Sequence, residues 1–126
     1  MAADPIDGGV LLLTAAKASV PPARLPDLVE RAQTILGTDL ERYRRHHERM
    51  YAGDDREAFL VDEDHWVRLG ERLGVTARER SALRRAHEEQ FRRIGRRTGR
   101  EDEFETALEI RDPLLVGIEE PQPEYE

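Results

Sequence analysis

The side chains best suited to chemistry in this sequence are its four histidines and its many arginines. His46 and His47 are adjacent and so leave a helix on different sides, Asp62 and His65 stand three apart across a helix start, and His87 lies on an apolar stripe beside Glu88. A helical zinc pair needs two imidazoles one turn apart on one face, and a di-iron bundle needs Glu-x-x-His; neither spacing occurs. A metal site would have to assemble from distant positions. An imidazole on an apolar stripe serves packing or hydrogen bonding, so His47 and His87 are expected at the edge of the core. Nucleophiles are as sparse: cysteine is absent, and the only serines, Ser19 and Ser81, sit in no Gly-x-Ser-x-Gly elbow. There is no P-loop, and Gly8-Gly9 precedes a helix without a strand before it. The sequence names no reaction, points to no cofactor or metal, and leans against an enzyme.

The basic residues are unusual. Of 20, only Lys17 is lysine, against 27 acids and a net charge of −7. The charge is also polarised along the chain. Residues 78–100 hold nine arginines with Glu79, Glu88 and Glu89, a local net of +6, whereas residues 101–126 set Arg111 against ten acids, a net of −9. Guanidinium forks suit phosphate, which makes Arg78, Arg80, Arg84 and Arg85 candidate nucleic-acid contacts at the start of a helix. Against that, the pairs 84–85, 92–93 and 96–97 recur at helical spacing and so lie mostly on a solvated face. Glu101, Asp102, Glu103 and Glu105 follow at once and are expected to fold back on these arginines as an intramolecular clamp. The clamp is the leading expectation.

The elements that must position these residues are mostly helical. A short helix is expected over 10–19, stopped by Pro21 and Pro22. Leu25, Leu28, Val29, Ala32, Ile35, Leu36, Leu40, Tyr43, His47 and Met50 recur at spacings of three and four, which predicts one long helix over 24–51. Gly37 and a Thr38–Glu41 capping box mark a possible bend in it. Asp62 offers an N-cap for a helix over 63–73, and Gly74 a left-handed end. Thr76 and Glu79 form a second capping box for a helix over 77–95, with Leu83, Ala86, His87, Gln90, Phe91 and Ile94 inward. A helix is expected over 101–112, ended by Pro113. The apolar runs 58–61 and 114–118 are candidates to pair as a two-stranded ribbon.

The turn between the last two capped helices carries a partial likeness. Gly70, Gly74 and Val75 supply the small crossing residue, turn glycine and apolar position of a helix-turn-helix. Arg80 stands where an inward apolar residue belongs, although Leu83 is correctly placed. The same Leu69-Gly70 to Gly74-Val75 run, with Trp66 before it, also resembles death-fold interaction bundles. The near absence of lysine beside abundant acid looks like a protein of a salt-loving archaeon, where carboxylates hold water and salt screens their repulsion; GC-rich actinobacterial sequences favour arginine too. The stretches Gly9 to Lys17, Asp64-His65-Trp66 through Leu69-Gly70, and Arg84 to Gln90 resemble a small haloarchaeal family of uncharacterised proteins. That resemblance implies a complete single-domain chain and transfers no site residues.

These readings converge on a mainly α, single-domain bundle of four to five helices over 1–118, with the possible ribbon, and an acidic flexible tail over 119–126. The longest apolar run falls far short of the roughly 20 residues that span a bilayer, and no basic segment precedes it, so neither a membrane partner nor a secretory signal is expected. The leading functional expectation is a cytoplasmic, non-enzymatic protein-interaction or regulatory module, self-associating through leftover apolar surface on the 24–51 helix. The alternative is a helix-turn-helix nucleic-acid binder that uses helix 77–95.

Overall fold

The computed structural model describes residues 5–118. α1 (Gly8–Ala18) closes at Ser19, which takes a left-handed conformation at φ 58° and turns its amide back to the carbonyls of Ala15 and Ala16. α2 (Arg24–Thr38) buries Leu25, Leu28, Val29, Ala32 and Leu36, the stripe the sequence predicts. The expected single helix over 24–51 does not form. It breaks at Asp39 (φ −96°, ψ 9°), resumes as α3 (Leu40–His46), and gives way to β1 (Glu48–Ala52). Thr38 caps nothing, because its hydroxyl donates to the Thr34 carbonyl one turn back. The stripe stays inward through Tyr43 and Met50, but pairing overrides its period. β2 (Arg56–Val61) is buried along its whole length and needs hydrogen-bonding neighbours on both sides; extended 48–52 supplies one of them.

β3 (Asp112–Gly117) supplies the other. It runs antiparallel to β2 from Arg56 opposite Gly117 to Val61 opposite Asp112, so the expected ribbon forms inside a three-stranded sheet of order β1-β2-β3. Pairing of β1 with β2 slips between Arg49 and Tyr51, a bulge at Met50 whose carbonyl accepts from Arg100 Nη1 at 2.6 Å. The helix expected over 101–112 is shorter, α6 (Glu101–Leu108). Pro113 therefore does not end a helix; it sits within the strand, at a position facing away from β2 where no amide is needed for the ladder.

α4 (Glu63–Leu73) and α5 (Ala77–Arg97) are marked at their junction as the sequence predicts. Gly74 is left-handed at φ 68°, and both bonds of the Thr76–Glu79 capping box are present. Asp62 occupies the N-cap position of α4 without a side-chain bond. A Cβ at Gly70 would stand 2.9 Å from Arg80 Cδ, so the methylene stem of Arg80 fills the place where an apolar residue was expected. α5 is the spine of the fold, with α1, α2, α4, α6 and β3 all against it. Its far end meets α6 through Phe91 and Phe104, stacked at 4.3 Å between centroids, and Gly95 leaves no Cβ to hold them apart. The fold is thus mainly α, with six helices and a minor sheet among the described residues. The expected tail over 119–126 lies outside the described residues.

The outward edge of β3 is buried beneath helices, so its backbone groups need partners other than water. Three side chains provide them. Trp66 Nε1 donates to the Pro113 carbonyl at 3.1 Å, and the Leu115 amide donates to His87 Nδ1 at 2.9 Å. Gln33 acts as a fourth strand would, its Nε2 donating to the Leu115 carbonyl at 2.9 Å and its Oε1 accepting from the Gly117 amide at 2.8 Å. His87 is 0% exposed and stands edge-on to Trp66, at the centre of the core rather than at its edge. Burial alone lowers its pKa to about 3, which keeps Nδ1 a free acceptor.

Two expected outcomes follow from this edge. Gln33→Ala leaves one buried carbonyl and one buried amide unmet, at about 1–3 kcal/mol each, and urea unfolding should show a loss of that combined order; a loss under about 0.5 kcal/mol would mean that water replaces the amide. At His87 the unfolded chain takes up a proton near pH 6.5 and the folded chain only near pH 3. Stability therefore falls as pH falls through that window, by up to about 1.4 kcal/mol per pH unit. Measured against His87→Gln, the wild type should lose ground between about pH 6.5 and about pH 4; a constant difference would show that the imidazole titrates alike in both states.

Candidate functional site

The four arginines singled out on α5 meet different fates. Arg78 and Arg85 are exposed, and among the described residues neither has a carboxylate within 4 Å. Arg80 is half-buried over Gly70. Arg84 is held between Glu88 at 3.0 Å and Asp112 at 3.7 Å. Burial raises the Asp112 carboxyl above its ordinary range although Arg84 acts the other way. Farther along, Arg92 meets Glu88 and Glu105, Arg97 lies 3.6 Å from Asp7, and Arg100 pairs with Glu103 at 2.8 Å. The expected clamp therefore forms through Glu103 and Glu105, whereas Glu101 and Asp102 engage no arginine among the described residues. α5's own glutamates do as much of the pairing.

A groove of about 340 Å³ runs between α1 and α5, with Leu13, Lys17, Arg85 and Glu89 among its walls. Leu13 (44% exposed) is its apolar wall residue, and Leu12 (64%) is the neighbouring exposed leucine of α1. The apolar surface expected on the 24–51 helix is mostly inside; among the described residues the exposed large apolar side chains are these two leucines and Ile110 at 74%.

The histidines gather where the sequence placed them apart. His46 is exposed, but the break at Asp39 and the turn into β1 carry Tyr43 and His47 against His65 of α4. Ring centroids lie 5.2 Å apart for Tyr43 and His47, 5.3 Å for Tyr43 and His65, and 5.7 Å for His47 and His65. Burial, helped by the charges of His47, Arg68 and Arg72, lowers the His65 pKa, and burial pushes the Tyr43 phenol up to about 12. At neutral pH both are uncharged. Tyr43 Oη and His65 Nε2 are hydrogen-bonded to one another, with the donor set by the imidazole tautomer. Around them Arg42, Arg68 and Arg72 line a cavity of about 330 Å³ with Asp39, which Arg72 engages at 3.4 Å.

These three arginines were not singled out by sequence. His65, Arg68 and Arg72 follow i, i+3, i+7 spacing, a signal for one helix face, but Arg42 joins them only through the break at Asp39. Among the described residues no three His, Asp or Glu side chains come together as a metal-ligand set, and no helix is long and apolar enough to cross a membrane.

No curated protein and no solved structure matches the chain. One family does, described as a domain of unknown function (DUF8048), over residues 4–118. With nearly the whole sequence inside that match, the chain belongs to this family.

Proposed function

We propose that this domain is a non-enzymatic interaction module of a salt-adapted cytoplasm, and that it associates with a second copy of itself through the α1–α5 groove. The exposure of Leu12 and Leu13 carries this reading. A second exposed apolar site is Ile110, at 74%, in the turn that follows α6, between Glu109 and Arg111. Leu13 shares its groove wall with Lys17, Arg85 and Glu89, whereas Ile110 stands between one acid and one arginine. A contact between these two sites joins unlike patches and so is heterologous. The apolar part keeps its strength when salt screens the charges, which suits concentrated electrolyte.

Light scattering over a concentration series tests this. The wild type should exceed monomer mass, and Leu12→Glu with Leu13→Glu, or Ile110→Glu alone, should return it to monomer with its circular dichroism unchanged. A wild type that stays monomeric, or variants that assemble equally, would overturn the reading.

A helix-turn-helix reading draws support from the left-handed Gly74, the close Gly70–Arg80 crossing, and the exposed Arg78 and Arg85 on the leading half of α5. In it Arg78, Arg80, Arg84 and Arg85 face nucleic acid. The tip of that helix is tied down, since Glu79 accepts from Arg24 at 2.9 Å, and Arg84 already has two carboxylates. Gel shifts on duplex DNA across a salt series decide: retention lost on Arg78→Ala with Arg85→Ala supports it, and absent or unaltered retention sinks it.

A further inference from the structure

We propose that the groove between α3 and α4 binds a small phosphate monoester, its phosphoryl group held by Arg42, Arg68 and Arg72. The proposal is independent of the α1–α5 surface. Three guanidinium groups from two helices converge on one concavity, and among the described residues the only carboxylate in its wall is Asp39, taken by Arg72. Arg42 and Arg68 have no carboxylate within 4 Å among the described residues. A chain of net charge −7 has ample acid to neutralise them, as it does Arg84, Arg92, Arg96 and Arg97, half of the eight arginines of α5. Here the fold gathers like charges in a hollow and leaves them for an anion from solution.

The imidazoles extend this donor set. With its Nε2 engaged by Tyr43, His65 keeps Nδ1 as its remaining hydrogen-bonding atom, and the Tyr43 bond fixes the ring in place. His47 lines the same wall. Three forks and two imidazoles offer more donors than the two oxygens of a carboxylate accept, and they match the three terminal oxygens of a phosphoryl group. The cavity, about 330 Å³, stands at the small end of ligand pockets, which run about 300–1,000 Å³. That volume takes a compact phosphate ester, and Leu69 with the Tyr43 ring supplies apolar wall for its carbon part.

The test follows the imidazole NMR signals of the full chain during titration with inorganic phosphate, with acetate as the control anion. The expected result is saturable displacement of the His47 and His65 signals by phosphate, with His46 unmoved. Arg42→Gln with Arg68→Gln, both at exposed positions, should weaken binding about tenfold or more, and Arg78→Gln with Arg85→Gln should bind as the wild type does. No saturation in the millimolar range, an equal response to acetate, a matching shift at His46, or undiminished affinity in the Arg42/Arg68 variant would overturn the proposal.

Discussion

The outward edge of β3 is the constraint around which the rest is organised. A strand buried on its free side cannot leave amides and carbonyls unmet, and this one closes them with Trp66 of α4, His87 of α5 and Gln33 of α2. Each bond ties a different helix to the sheet. The position of α4 relative to α5 follows from Trp66 and His87 together, and Gly70 permits the close crossing that this position requires. The cost is a neutral, fully buried imidazole whose Nε2 has no partner among the described residues.

Charge does the same work at the periphery. Burial alone would push the Glu57 carboxyl up, but the Arg44 fork, at 2.6 and 3.0 Å, and Arg49 more than offset it and hold the group below its ordinary range. That pair fastens α3 to the central strand. On the opposite side Asp7 receives Arg56, and its amide donates to Gln90, so the start of α1 is anchored to both β2 and α5. Of these two anchors the Arg44–Glu57 pair is bidentate, and the Arg56–Asp7 contact is a single one at 3.4 Å.

How much of this was legible depended on whether the signal was local. Gly74 and the Thr76–Glu79 box announce a helix end and a helix start by their own chemistry, and both stand as read. The pairing of 58–61 with the run after Pro113 followed from two short apolar segments seeking each other. The helix over 24–51 failed because Tyr43, His47 and Met50 keep helical phase although β2 requires an extended neighbour, and nothing local in 48–52 announces that demand. Failure there hid the arginine groove as well. Only once the chain breaks at Asp39 does Arg42 come round to face Arg68 and Arg72.

The bulge at Met50 has a meaning for life in a crowded cell. β1 is the open margin of the sheet, with Glu48 and Arg49 exposed along it. Its register is already broken at Met50, and Arg100 occupies the carbonyl there. A stray strand that tried to add would find a kinked template, two charged side chains and a blocked acceptor. The irregularity that interrupts the ladder thereby guards the protein against runaway fibre growth, and leaves any association to the helical faces.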